Sequence, residues 1–259
     1  MKTERHLHEL EHGKYLAGSP EEFWGWGTPA GKLRAERRAK LILQGAQIGP
    51  SSRVLEIGCG TGLFTEMFAK SGAEISAIDI SPDLLRFARE RAVPNARFFE
   101  GSFEDWDSDG VFDAVIGSSV LHHLDLDRSL PKIFQLLKPG GRMSFAEPNM
   151  LNPQIYCERH FRSFFPQVSP DETAFRRTKL RRSLLSARFQ SVLIRPFDWL
   201  HPATPESLIP AITKIGRVCE ALWPISEFAG SLWIVGRRPE QISACDPRPS
   251  GGQQLVPTR

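Results

Sequence analysis

The densest chemical signal in the chain is the run Val54-Leu55-Glu56-Ile57-Gly58-Cys59-Gly60-Thr61-Gly62. An apolar run carrying an acid leads into glycines at alternate positions. Glycine at every second position lets the backbone approach a ligand where a Cβ would collide. The dinucleotide fingerprint G-x-G-x-x-G needs a glycine at position 63, and Leu63 stands there instead. The competing reading is a strand–helix turn that binds nothing. A second acid, Asp79, follows about 20 residues later, the distance at which a carboxylate takes ribose hydroxyls in nucleotide-binding half-folds. Two carboxylate oxygens can face the two O–H donors of a cis-diol. The alternative for Asp79 is a helix N-terminal acid favoured by the macrodipole. Ser81-Pro82 already offers an N-cap and an N1 proline, which leaves Asp79 spare for a ligand.

Strands and helices must alternate to carry these residues. Strands are expected near 53–57, 74–79, 96–100, 111–117 and 142–147, with helices near 61–71, 82–92 and 127–137 between them; Lys138-Pro139-Gly140-Gly141 stops the last helix. Such alternation predicts parallel strands with helices on both faces, and ligands at the carboxyl ends of the strands. Glu56, Asp79, Ser102, Ser118 and Glu147 all fall on that rim.

The remainder is less regular. Residues 148–172 form a long segment bearing Tyr156, His160, Phe161, Phe164 and Phe165, ending in a capping box at Ser169–Glu172. The helix expected after it runs to about Ala187, with Phe175, Leu180, Leu184 and Leu185 turned inward. Strands six and seven are expected at 189–197 and 231–236, separated by a helix at 206–222. Segment 200–226 reads as an inserted cap or dimer contact, and the aromatics of both insertions suit an acceptor pocket or ordinary packing. Residues 1–45 form an aromatic arm and basic helix, 46–238 the main domain, and 239–259 a tail of disordered composition. The arm's Tyr15, Phe23, Trp24 and Trp26 read equally as a lid or a staple. One guanidinium of Arg34, Arg37 and Arg38 either pairs a ligand carboxylate or belongs to a solvated helix face.

The chain has 259 residues, 41% of them hydrophobic, which suffices for one sizeable core. A net charge of +3 is too small to argue for nucleic acid. Cys59, Cys157, Cys219 and Cys245 lack metal spacing, so no metal is expected and the thiols read as reduced, in a cytoplasmic protein. No apolar run is long enough to span a membrane.

The E-x-G-x-G-x-G turn resembles the first motif of class I S-adenosylmethionine-dependent methyltransferases. Leu137-Lys138-Pro139-Gly140-Gly141, Phe112-Asp113-Ala114-Val115 and Val120-Leu121-His122-His123-Leu124 resemble further motifs of the small-molecule branch, which includes quinone-biosynthesis enzymes. The resemblance covers about residues 35–150. It implies a Rossmann-like, doubly wound, mostly parallel seven-stranded α/β sheet, here with an N-terminal helical arm and an insertion between the last two strands. It implies S-adenosylmethionine as cofactor, held by Glu56, Gly58, Cys59, Gly60, Gly62, Asp79, Ile80, Ser102, Phe103 and Ser118. The family's Gly-Asp-Ala beside the adenine is replaced by Gly101-Ser102-Phe103, so Glu104 or Asp105 is the substitute expected there. Methyl transfer to O or C needs a base, for which His123 ranks first, His122 second and His160 third. Glu147 orients acceptor or base, or caps its strand. The expected acceptor is a small organic molecule, aromatic or hydrophobic, used by a monomer or homodimer. RNA or protein acceptors and a non-catalytic regulator are the alternatives; the nucleic-acid reading is disfavoured because Gly117-Ser118-Ser119-Val120 replaces the Asn/Asp-Pro-Pro-aromatic signature.

Overall fold

A computed structural model describes residues 11, 14, 18–108, 110–161 and 174–240. The chain forms a seven-stranded sheet in the order β3-β2-β1-β4-β5-β7-β6. The strands are β1 Arg53–Ile57, β2 Glu74–Asp79, β3 Ala96–Glu100, β4 Phe112–Ser118, β5 Leu137–Pro148, β6 Gln190–Phe197 and β7 Ser231–Arg237. β1 to β5 run parallel, and β7 inserts antiparallel between β5 and β6. The helices are α1 Pro20–Phe23, α2 Pro29–Ala46, α3 Leu63–Ala69, α4 Pro82–Glu90, α5 Leu126–Leu136, α6 Pro153–His160, α7 Arg177–Ser186 and α8 Ile209–Ala221.

Strand β1 is buried on both sides after its first residue, as a central parallel strand must be. Leu55, Ile57, Val115 and Phe145 belong to one core cluster, while Val54, Ile116, Ala146 and Phe68 belong to another. The alternation follows the period of two along each strand. Local signals set the helix starts. Thr28 accepts from Gly31 N at 3.0 Å with Pro29 at N1, and Ser81 accepts from Leu84 N with Pro82 at N1.

Three expectations need correction. Residues 138–141 do not form a free corner. They are drawn into β5 as an irregularity, where the register jumps from Phe112↔Leu137 to Ala114↔Arg142. Gly140 (φ +81°) supplies the left-handed bend, and Lys138 ties back to Asp113 at 2.7 Å. Segment 148–172 contains a helix: Asn152 accepts from Gln154 N and Ile155 N, with Pro153 at N1. Helix α7 starts only at Arg177, and Leu185 points to solvent because it lies off the Leu180–Leu184 face. The capping box at Ser169–Glu172, Tyr15, Phe164, Phe165, Cys245 and nearly all of the 239–259 tail lie outside the described residues.

Candidate active site

A cavity of about 520 Å³ opens over the carboxyl ends of β1, β2 and β4. Its floor is the glycine turn. Gly58 (φ +68°) and Gly60 (φ +52°) both adopt left-handed backbone. A Cβ on Gly58 would meet Val120 Cγ2 at 2.4 Å, so the turn and the loop after β4 pack without room for a side chain. On Gly60 a Cβ would project toward Trp24, at 3.6 Å.

Asp79 closes the β2 side and is not spare. Its Oδ2 accepts from Gly60 N at 2.7 Å and its Oδ1 from Ser81 N at 2.9 Å. The carboxylate that faces the cavity therefore also sets the path of the glycine loop. Gly58, Cys59, Gly60, Asp79, Ile80, Ser102, Phe103, Glu104, Ser118, His122 and His123 all line the cavity; Glu56, Gly62, Asp105 and Glu147 do not. Gly62 serves α3 instead: it is the left-handed N-cap of that helix and packs on Ala88. Burial pushes the Cys59 thiol well above its ordinary value, so it stays protonated and apolar in character.

Glu56 sits 1% exposed beneath the turn, and its Oε2 lacks a hydrogen-bond partner among the described residues. Burial raises its carboxyl to about 8, with Thr65 pulling it down and the charge of Asp79 pushing it further up. The folded value exceeds the ordinary 4.5 of an unfolded chain. The contribution to stability is therefore complete below that value and is lost as pH rises through about 8. Replacing Glu56 with glutamine should remove that loss. Relative to this variant, the natural protein is expected to fall behind by ~3 kcal/mol or more as pH rises from 5 to 8. Calorimetric melting of both proteins across that range checks this, and parallel pH slopes would refute it.

Sequence reasoning left the three arginines of α2 open, and the structure distinguishes them. Arg37 pairs with Glu220 through both guanidinium nitrogens, at 2.8 and 2.5 Å, and Arg34 pairs with Asp198 at 2.8 Å. Arg38 is 3% exposed and lines the cavity. Its Nη1 donates to Ser118 Oγ, Ser119 Oγ and the Ala146 carbonyl, and its Nη2 donates to Ser231 Oγ at 2.6 Å. Its Nε is buried without a hydrogen-bond partner among the described residues. No carboxylate among the described residues lies within ion-pair distance. Burial and Arg34 lower it to about 10, against the pull of Asp198 and Glu147, so it remains a cation at neutral pH. The solvated-face reading fails for Arg38: a buried cation held only by neutral groups is suited to an anion brought by a ligand.

The β4–β5 side carries a histidine–carboxylate pair. His122 Nδ1 and Glu147 Oε2 are 2.6 Å apart, both side chains essentially buried. Glu147 Oε1 also accepts from Val120 N and Leu121 N at 3.0 and 2.9 Å. Burial by itself would raise the Glu147 carboxyl. The hydrogen bond and charge of His122 and the N–H groups of Leu121 and Val120 outweigh it and hold the group below its ordinary value. Glu147 is thus an ionised brace that engages His122 and the N–H groups after β4, and its side chain does not line the cavity. The His123 ring lies 4.1 Å from that of His122 and is also on the wall. His160 is away from the cavity: it is exposed, stacked on Tyr156 at 3.8 Å, with Nδ1 against the Tyr156 carbonyl.

The covering elements divide unevenly. From the arm, Phe23, Trp24 and Trp26 line the cavity, and Trp26 packs edge-on against Phe64 at 5.5 Å. The arm's aromatics thus both border the cavity and pack onto α3. From α6, Ile155, Glu158 and Arg159 reach the cavity. Segment 200–226 contributes no lining residue, which corrects its reading as a pocket wall; its Pro202 packs beneath Gly25, and its Glu220 engages α2. Among the described residues no cluster of three His, Cys, Asp or Glu side chains suits a metal ion, and no helix is long and apolar enough to cross a membrane.

Residues 54–141 match a family model described as a methyltransferase domain. The ubiquinone biosynthesis O-methyltransferase of Xanthomonas campestris pv. campestris is 32% identical over 156 residues, covering 58% of this chain and 65% of that protein. The same-named protein of Xanthomonas axonopodis pv. citri is 32% identical over 150 residues, covering 55% and 62%. The chain thus spans somewhat under two thirds of these relatives' length. Among solved structures, the N-methyltransferase NodS of Bradyrhizobium japonicum WM9 with S-adenosyl-L-homocysteine aligns over 90% of this chain and all of its own, at TM-score 0.60 and 17% identity. The [4+2]-cyclase SpnF aligns over 79% and 81%, at TM-score 0.57 and 20% identity. At these identities the likeness is one of fold.

Proposed function

Because the chain carries a class I S-adenosylmethionine-dependent methyltransferase domain similar to that of quinone-biosynthesis enzymes, we propose that it methylates a small organic acceptor, aromatic or hydrophobic, at oxygen or carbon. The observation that carries this reading is the His122–Glu147 pair on a cavity whose other wall fits the cofactor. The name of the similar Xanthomonas proteins favours oxygen as the attacking atom. The domain proposed is 46–238, with a cytoplasmic location supported by the free thiols of Cys59, Cys157 and Cys219.

The cavity's size lies in the range of cofactor sites. Left-handed glycines at its floor and the orphaned Nε of Arg38 fit a ligand with a nucleoside end and an anionic end. When bound, S-adenosylmethionine supplies a methyl group already activated by the positive sulfur. Asp79 would take the ribose hydroxyls, Ile80, Ser102, Phe103 and Glu104 would line the base, and the backbone of Gly58 to Gly60 would hold the rest of the cofactor. Arg38, held by Ser118 and Ser119, takes the amino-acid carboxylate. His122 removes the acceptor proton, and Glu147 keeps its Nδ1 side engaged so that the other ring nitrogen does the work. His123 flanks the acceptor.

Replacing Asp79 with alanine should weaken cofactor binding by roughly 1–3 kcal/mol, the cost of unpairing buried polar groups. Gly60 N–H loses its acceptor along with the ribose. Titration calorimetry measures this, and wild-type affinity in the variant would move the diol contact elsewhere. The function itself is tested with methyl-labelled donor against phenolic and quinol pools, RNA and protein. Label in a small molecule is the expected result; label confined to RNA or protein, or none with tight donor binding, would overturn it.

A further inference from the structure

Helix α8 and its two capping residues carry an exposed apolar stripe that the site does not use. Leu208 at the N-cap, Ala211, Ile215 and Val218 in the helix, and Leu222 at the C-cap recur at intervals of three and four residues, the spacing of a coiled-coil seam. All five are exposed; Ile215 is 63% and Val218 54% accessible, and Trp223 just beyond reaches 81%. The opposite face of the helix is already occupied. Gly216 is buried against Trp199, and Glu220 receives Arg37 and the Asp198 N–H. The stripe therefore cannot turn inward.

We propose that this stripe is the contact of a two-fold homodimer, with α8 of one copy lying antiparallel on α8 of another. Three observations select a second copy as occupant. The narrow seam calls for a helix, since a sheet or loop would not match a three–four repeat. The stripe is also self-complementary about Ile215. Reversed on itself, it sets Leu208 against Leu222 and Ile215 against Ile215, and brings Ala211 within one residue of Val218. That is the isologous pattern a two-fold axis imposes. Leu208, Ile215, Val218 and Leu222 are 48–63% exposed and Trp223 beside them is 81% exposed, leaving apolar surface that an interface of ~800 Å² per partner would cover.

The charges give a second handle. Lys214 adjoins Ile215 and is exposed, so the two copies bring like charges to the rim of the seam. Salt screens that repulsion, and the dimer should tighten as ionic strength rises, opposite to an association held by ion pairs.

Sedimentation equilibrium of the full chain across the micromolar range tests the proposal. A particle of twice 29.1 kDa is expected for the natural protein, with a dissociation constant that falls with salt. Ile215→Glu should sediment as a monomer with unchanged circular dichroism, because the side chain is outside the core. Ile215→Cys keeps the stripe apolar and gives an independent reading: oxidation should join two chains through residue 215, above the background of the natural cysteines, while Arg217→Cys should not. A natural protein that stays monomeric throughout, a dimer that survives Ile215→Glu, or equal cross-linking at 215 and 217 would overturn it. Capture of a different protein by a monomeric chain would likewise show that the second copy is the wrong occupant.

Discussion

Gly60→Val is expected to abolish cofactor binding while the sheet still folds. Gly60 holds φ +52° on the cavity floor, and Asp79 anchors its N–H at 2.7 Å. Left-handed backbone costs a branched residue at least ~1–2 kcal/mol, so the loop is driven toward another conformation. If the loop stays, the added methyls occupy the space between Gly60 and Trp24 that a ligand must share. Either way affinity should fall by at least ~100-fold, or ~3 kcal/mol. The two core clusters are formed by other residues, so the melting transition should remain cooperative. Calorimetric titration with S-adenosylmethionine, alongside thermal melting, decides the matter. Binding within a few-fold of the natural protein would remove Gly60 from the site.

Glu147→Gln should lower turnover by roughly 10²–10⁴, the usual contribution of a general base, and leave the cofactor dissociation constant nearly unchanged. An amide oxygen can still accept from Val120 N and Leu121 N, so the loop after β4 keeps its place. What is lost is the carboxylate oxygen against His122 Nδ1, now an amide donor that favours the wrong tautomer. His122→Asn should lose a comparable amount, and the double variant little more than either, because the pair acts as a unit. Steady-state rates on an identified acceptor give the answer. Turnover within a few-fold of the natural protein would transfer the base role to His123 or leave the reaction without one.

The parts of the molecule that were legible in the sequence depend on neighbours along the chain. Glycine spacing, the Asp79 interval and the Ser81-Pro82 cap are local signals, and the parallel run of the first five strands followed from alternation; the sheet order, with β7 antiparallel between β5 and β6, did not. What stayed illegible depends on contacts across the sheet. Arg38 looked like one of three equivalent cations until Ser118, Ser119, Ala146 and Ser231 were seen to gather round it from β4, β5 and β7. Glu147 and His122 are 25 residues apart, and only the parallel pairing of β4 with β5 brings them together. Asp79 was misjudged as spare because its partner N–H on Gly60 lies on another strand's loop. One miss was avoidable. Asn152-Pro153 is as good a helix start as Ser81-Pro82, a local signal that the expectation for 148–172 leaves unused. The pocket role expected of 200–226 failed for a different reason. Aromatic composition does not say which side of an insertion faces the ligand, and Trp223 faces water.

The arm bears on the timing of the catalytic cycle. Glu21 of α1 receives the Thr61 hydroxyl at 3.0 Å and pairs with Arg91, whose Nε holds the Thr61 carbonyl. These partly exposed charges tie the aromatic wall to the glycine turn. Release of the spent cofactor is therefore expected to require parting of that surface ion pair, and to be slow where it does. Salt weakens such a pair. At saturating substrate, turnover should rise with ionic strength until the pair no longer limits it; a flat or falling profile would place the slow step elsewhere.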